Sequence, residues 1–352
     1  MEFDWKELVP GLEEKQNLAL CTIIERHGSV PREVGARMLV RPDGSISGTV
    51  GGGSGEYEII QDALAALRAG QSSVRDYSLA GEQGLDSPAI CGGRFSVLIS
   101  CWQPETDLDL ARETAAGLAA GETRFLLEQL PTENSAGAPA RALYGSDGRK
   151  LAGAASLPDR LAADELRDAA GPDETRKTAA DGCPALLTRL TPPPRMMIFG
   201  GGHLALPLVE MAAWCRFSVT VIDDRPEFSN PGRFPAADRV ITAPMEDISG
   251  LFTPSPNLWH VLITREHKHD YILLKQLLGT SYAYLGMIGS RRRTTKVKQR
   301  LVEEGFDPDE IARLHSPIGL KIGAQTPAEI AVSIMAEIIA VRYGAGGSAE
   351  TA

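Results

Sequence analysis

The stretch MMIFGGGHLALP (196–207) is an apolar run that ends in three glycines and passes into small residues suited to a helix start. Gly200-Gly201-Gly202-His203-Leu204-Ala205 fits the G-x-G-x-x-G/A pattern of a dinucleotide-binding turn. In such a turn the first glycine permits the tight bend and the second lets backbone approach a pyrophosphate. The small last residue, here Ala205, lets the helix pack on the strand. The helix N-terminus then offers free N–H groups and positive potential to an anion. The next apolar run, SVTVIDDR (218–225), delivers Asp223 and Asp224 to the end of a second strand, the usual place for a ribose-binding acid. Arg225 follows directly, placed either to meet a phosphate or to pair with the two acids.

Outward from this turn the same alternation continues. Runs at 195–199, 218–222, 238–241, 258–263 and 283–288 read as strands, and segments at about 203–215, 268–279, 290–304 and 326–342 read as helices. This predicts a Rossmann-like parallel sheet with helices on both faces. The last helix carries a capping box of Thr326 and Glu329, with Pro327 in its first turn. Pro192, Pro193 and Pro194 can neither continue a helix nor sit in a central strand, which sets a junction near residue 192. The expected domains are therefore 1–191, with a variable segment over 103–191, and 192–345, with 346–352 as a disordered tail.

The first half reads as an α/β domain with a mixed sheet. A helix is expected at about 5–14, strands at 19–26, 36–44 and 94–102, and a strand, glycine turn and helix over 48–70. ARMLVRPDG (36–44) is echoed by ARALYGSDG (140–148), with Ala, Arg, Leu, Asp and Gly at identical offsets. Two hairpins in one sheet would explain the echo, and so would convergent turn chemistry. The stretch 155–182 reads as a helix and a mobile loop.

With 352 residues the chain is long enough for two domains, and its net charge of −10 argues against nucleic acid as the main ligand. No apolar run reaches the ~18–20 residues needed to cross a bilayer. The acidic N-terminus lacks the layout of a signal peptide. The five cysteines are widely spaced and never Cys-x-x-Cys, which reads as reduced thiols of a cytoplasmic protein.

Against this acidic background YLGMIGSRRRTTKVKQRL (284–301) stands out. A strand ends at Gly289-Ser290 and a helix opens on Arg291, Arg292 and Arg293, so backbone N–H groups and guanidinium together make an anion trap, or else a solvated helix face. TREHKHD (264–270) places His267, His269 and Asp270 after the fourth strand. Polar contacts or a helix cap are favoured there over a metal site, because no further ligands follow by spacing. In the first half, GTVGGGSGE (48–56) puts Gly51, Gly52 and Gly53 before a helix that carries Glu56, either a functional acid or a simple helix-start acid. AICGGR (89–94) flanks Cys91 with glycines and Arg94, which leaves the thiol accessible and favours the thiolate. Arg32 and Arg37 are placed to meet an anion or acidic neighbours.

Seven ordered blocks, GSVPREVGARMLV, GTVGGGSGE, CGGR, IFGGGHLA, VIDDRPEF, GMIGSRRR and HSPIGLKIGAQTPAEIAVSIMAEIIAVR, resemble those of the XdhC/CoxI family. These are accessory proteins of xanthine dehydrogenase and related molybdenum hydroxylases. The resemblance covers about 15–102 and 195–342. It implies a chaperone without turnover that binds the molybdenum cofactor, as molybdopterin or its cytosine dinucleotide. It implies protection of that cofactor during sulfuration by a cysteine desulfurase, and delivery to an apo molybdenum hydroxylase. Cys91 matches the family cysteine before Gly-Gly, so the resemblance makes it a metal ligand or sulfur carrier. Glu56 matches the family acid after the glycine turn. Where relatives carry a cysteine for the third glycine, this chain has Gly53. Cofactor contacts are expected from Gly200, Gly201, Gly202, His203, Asp223, Asp224, Arg225, Gly289, Ser290 and Arg291, and from Gly51, Gly52 and Gly53. A homodimer is the expected assembly. The alternative reading of the same turn is an NAD(P)-dependent oxidoreductase.

Overall fold

In the computed structural model, which describes residues 3–78, 93–132, 139–168, 175–180 and 182–344, the chain divides into two units, Met1–Pro192 and Pro193–Ala352. The break falls within the three-proline run. The tail expected over 346–352 lies outside the described residues. Among the described residues no helix is long and apolar enough to cross a membrane.

The first unit is one motif used twice. Its first pass is α1 (Leu8–Glu13), β1 (Leu18–His27), β2 (Arg37–Val40), β3 (Ile46–Gly48), α2 (Gly53–Ala69), β4 (Ser73–Ser78) and β5 (Arg94–Trp102). Its second pass is α3 (Pro104–Ala119), β6 (Arg124–Gln129), β7 (Arg141–Gly145), β8 (Lys150–Gly153), α4 (Ala163–Asp168), β9 (Thr175–Ala180) and β10 (Cys183–Leu190). The sheet orders, β3-β2-β1-β5-β4 and β8-β7-β6-β10-β9, are the same order with every label advanced by one repeat. Every strand pair in both sheets is antiparallel.

The echoed segments therefore do not form hairpins of one sheet. They occupy β2 and β7, equivalent strands of two sheets. The stretch 155–182 also departs from its reading, because it holds strand β9 beside the short helix α4. β9 is an edge strand in which Thr175 is buried and Lys177 and Ala179 are exposed, so it carries no apolar alternation to read. The apolar run of β1 is continuous because both its faces are covered. Ala19, Cys21 and Ile23 pack with Ile59 and Ala63 of α2. Leu18 and Leu20 pack with Leu126, Leu143 and Leu190 of the second sheet and with helices α1 and α3.

The arginines of the echo clasp the two sheets reciprocally. Arg37 opens β2 and donates to Thr175 Oγ1 (3.0 Å) and Thr188 Oγ1 (3.4 Å) on β9 and β10. Arg141 opens β7 and donates to Ser100 Oγ and to the Cys101 carbonyl (2.9 Å) on β5. Ser100 and Thr188 are each two residues from the end of their strand. Each guanidinium also lies over an indole, Trp5 for Arg37 (5.2 Å) and Trp102 for Arg141 (4.7 Å). The second clasp is ionic as well: Arg141 meets Glu128 (2.7 Å) and Asp107 (3.0 Å), all three side chains being buried. Arg37 is thus engaged within the fold rather than offered to a ligand.

The second unit has five parallel strands, β11 (Arg195–Phe199), β12 (Ser218–Asp223), β13 (Arg239–Thr242), β14 (Leu258–Leu262) and β15 (Tyr284–Met287), in the order β13-β12-β11-β14-β15. Helices α5 (Ala205–Trp214) and α9 (Pro327–Arg342) share one core, with Met196, Ile198, Val219, Val221 and Val261 from the sheet. Helices α6 (His267–Leu277), α7 (Arg291–Glu303) and α8 (Pro308–Ala312) share the core of the other face, with Met197, Phe199, Ile222, Leu262 and Met287. The capping box of α9 forms as read. The strand order reverses between β11 and β14, and that switch point places a crevice at their C-terminal ends.

His260 in β14 is 0% exposed, and neither ring nitrogen has a hydrogen-bond partner. It lies among the rings of Phe199, Phe252 and Tyr282. Burial lowers its pKa to about 4 from 6.5. The folded imidazole stays neutral while the unfolded one takes a proton, so the unit loses stability as pH falls through 6.5 toward 4. That amounts to about 2 kcal/mol between pH 7 and pH 5. Denaturant melts of His260→Leu are expected to lack this part of the acid sensitivity. For the clasp, Arg141→Leu strands two buried carboxylates and is expected to cost about 3–5 kcal/mol in urea unfolding. Arg37→Ala, which leaves neutral hydroxyls, is expected to cost about 1 kcal/mol.

Candidate functional site

The glycine turn sits at the switch point, and each glycine there answers a different neighbour. Gly200 has φ +115°, and a Cβ on it would lie 2.5 Å from the Ile263 carbonyl oxygen in the loop after β14. A Cβ on Gly201 would lie 2.1 Å from the Phe228 carbonyl oxygen. Gly202 has no atom within 4 Å of that position, so its face is open. Ala205 is fully buried against the sheet, where a larger side chain would push the helix away.

Asp223 is the residue that holds the turn. Its carboxylate accepts the Gly201 N–H (2.7 Å) and the Arg225 N–H (3.0 Å). It also accepts Arg225 Nε (2.9 Å) and Nη2 (3.0 Å) in a fork. Burial alone would raise this carboxyl, but the bonds from Arg225 and from the Gly201 N–H outweigh it and hold it below its ordinary range. Arg225 also lies flat over Phe228 (3.7 Å). Of the two readings open for Arg225, the geometry realises pairing with the acids. Asp224 is partly exposed and lies 3.7 Å from Arg225 and 3.4 Å from Arg265. His203 is exposed at the rim. The sequence did not single out Phe228 or Arg233, which donates to the Gly201 carbonyl (3.3 Å); their approach arises from a loop fold with no local signature.

Gly289, Ser290 and Arg291 follow β15, two strands from β11 and so about 10 Å across the sheet edge. Ser290 caps α7, its hydroxyl accepting the Arg293 N–H (3.3 Å). Arg291 and Arg292 are exposed. Arg293 instead turns inward and pairs with Asp270 (2.5 Å), a fully buried carboxylate that also receives the Thr264 hydroxyl (2.5 Å). Burial raises Asp270 even though Thr264 and Arg293 pull it down. Asp270 therefore acts as a brace between the loop after β14 and the start of α7, not as the cap of α6, whose N-cap residue is Glu266. His269 is buried, and among the described residues no group of three His, Cys, Asp or Glu side chains is arranged to hold a metal ion.

In the first unit, Gly51, Gly52 and Gly53 have φ values of +148°, +77° and +70°, conformations that exclude most side chains. Glu56 is folded back onto them: one carboxylate oxygen accepts the Thr49 hydroxyl and the N–H groups of Val50 (3.1 Å) and Gly52 (3.2 Å). Cys91 and Gly92 lie outside the described residues. The adjoining Gly93 presses on the loop at Ser29, whose carbonyl oxygen would be 2.2 Å from a Cβ there. The candidate residues thus form one cluster in the first unit, around 51–56, and two in the second, at 200–225 and 289–291.

A parallel sheet of this order with a glycine turn at its switch point defines a Rossmann-type unit, here preceded by a duplicated antiparallel unit. Residues 196–338 match the model described as the XdhC Rossmann domain, and residues 12–78 match that of the XdhC and CoxI family. The chain belongs to this family. It is 29% identical over 344 residues to a protein of Bacillus subtilis (strain 168) described as a probable xanthine dehydrogenase component, covering 94% of this chain and 95% of that protein. It is 22% identical over 339 residues to the molybdenum cofactor insertion chaperone PaoD of Escherichia coli (strain K12), covering 95% and 86%. A crystal structure described as a xanthine dehydrogenase from Bacillus halodurans has the same fold, with a TM-score of 0.79, 27% identity, and 99% and 98% of the two chains covered.

Gly201→Ala is expected to lower unfolding stability by about 1–3 kcal/mol through the clash with Phe228. Gly202→Ala is expected to change it by less than about 0.5 kcal/mol. Equal losses at both positions in thermal melts would contradict the geometry of the turn.

Proposed function

We propose that the protein binds the molybdenum cofactor, protects it during sulfuration and delivers it to a xanthine dehydrogenase-type molybdenum hydroxylase. The observation that carries this reading is that both family segments, the duplicated unit's start and the Rossmann unit, occur in order on one chain. Its resemblance over nearly its whole length to a molybdenum cofactor insertion chaperone adds to it. The cargo is a metal-bearing pterin with a phosphate or a cytosine dinucleotide tail. The chain's part is to hold that anion rather than to transform it.

The glycine turn suits the task. Gly202 leaves an open wall, and α5 begins without a side-chain cap, so its first N–H groups face outward for an anion. Asp223 and Arg225 serve by fixing the turn, Asp224 and His203 line its rim, and Arg291 with Ser290 adds charge and N–H groups at the end of β15. Gly51, Gly52, Gly53 and Glu56 shape the loop in the first unit, and Cys91 supplies a thiol for the metal or for sulfur. The partners are the apo hydroxylase and a cysteine desulfurase as sulfur source. The protein works as a homodimer in the cytoplasm. An NAD(P)-dependent oxidoreductase is favoured only by the turn itself. Against it stands Asp223, whose oxygens are committed to Gly201 and Arg225 where a ribose would need them.

Purification from cells that make the cofactor, followed by metal and pterin analysis of the bound fraction, tests the reading. Molybdenum and pterin are expected to co-purify in equal amounts, with no nicotinamide-dependent turnover. Cys91→Ala is expected to fold normally yet lose cofactor retention or client activation. Arg291→Ala is expected to weaken retention about tenfold, roughly one charge-assisted contact. Full retention and activation in both variants would remove these residues from the site.

A further inference from the structure

Helices α6 and α7 run side by side from the C-terminal edge of the sheet and leave a groove of about 1110 Å³ between them. Its floor is apolar, with Ile272, Val297 and Ile288, and Tyr271 lines it. On α7, Arg292, Lys296 and Arg300 are spaced four apart, so they stand in a row on one face about 12 Å long. On α6, Lys268 and Lys275 face them. This is a concentration of positive charge in a chain of net charge −10.

The two ends of the groove differ. At the lower end Lys275 and Arg300 both bind Glu304 (2.8 and 3.1 Å) and flank the Tyr271 ring (5.8 and 4.4 Å). Lys275, with help from Tyr271 and Arg300, holds Glu304 down to about 2, so this end carries its own counter-charge. At the upper end Lys268, Arg292 and Lys296 make no ion pair or hydrogen bond among the described residues. Both helices begin there, so their N-terminal partial charges add to the three cations. Asp270, the acid beside this end, is already taken by Thr264 and Arg293.

We propose that this groove binds a nucleoside diphosphate group, with the diphosphate among Lys268, Arg292 and Lys296 and the heterocycle over Ile272, Val297 and Tyr271. A bare phosphate would leave the apolar floor unused. An acidic helix lying along the groove would find unpaired cations at one end only, because Glu304 neutralises the other. A ligand charged at one end and aromatic at the other matches the asymmetry. The groove lies apart from the glycine turn, none of whose residues lines it. As the place of the cargo's nucleotide tail it rests on the reading above; as a nucleotide site it stands on its own chemistry.

Calorimetric titration of the full chain with cytidine diphosphate, adenosine diphosphate and inorganic pyrophosphate tests this. Both nucleoside diphosphates are expected to bind at least about tenfold more tightly than pyrophosphate. The double variant Arg292→Glu, Lys296→Glu is expected to lose about tenfold or more for all three ligands. Ile272→Glu is expected to erase the preference for the nucleosides. Lys321→Glu, an exposed control of equal charge change, is expected to leave binding unaltered. Nucleosides that bind no better than pyrophosphate, or a double variant that binds like wild type, overturn the proposal. So does an acidic amphipathic peptide that binds where the nucleosides do not. Wild-type protein that binds the nucleosides as expected but retains no pterin leaves the groove standing and removes the cofactor reading. The reverse pattern removes the groove alone.

Discussion

The Rossmann unit depends on one carboxylate. Asp223 accepts the Gly201 N–H and grips Arg225 in a fork, and the turn between β11 and α5 stands on that contact. A buried carboxylate is costly unless its lone pairs are filled, and here backbone and guanidinium fill them. The consequence reaches function. An acid that would otherwise bind ribose is built into the frame, so the turn has N–H groups and open space to offer, and little selectivity for a dinucleotide's sugar.

The glycine turn of the first unit uses the same device. Glu56 folds back onto Val50, Gly52 and Thr49, as Asp223 does onto Gly201. In both units a glycine segment gains freedom to adopt a rare backbone shape, and a carboxylate removes that freedom again. The result is a preorganised loop rather than a loose one, which lowers the entropic cost of holding an anion. The same acids look catalytic when only their position in the chain is known.

The acidic surface and the basic groove divide the electrostatics. A net charge of −10 keeps nucleic acids away, while the free cations at the upper end of the α6–α7 groove concentrate attraction for small anions. Self-pairing by Glu304 at the other end limits that attraction in space.

The second unit was legible almost element by element, because strands buried on both faces and helices with caps write themselves locally as apolar runs, glycines and a Thr326–Glu329 box. The first unit was legible only in fragments. The echo of Ala36–Gly44 at Ala140–Gly148 was visible, yet its meaning was not. Only the sheets show that β2 and β7 are equivalent strands and that Arg37 and Arg141 each reach across to the other repeat. β9 left no apolar trace because one edge of a sheet needs little burial. Local sequence determined the turns, the caps and the parallel sheet, since those follow from neighbouring residues. Tertiary structure alone decided which acids serve the frame, which arginines stay free and where a groove opens, since each depends on partners distant in the chain.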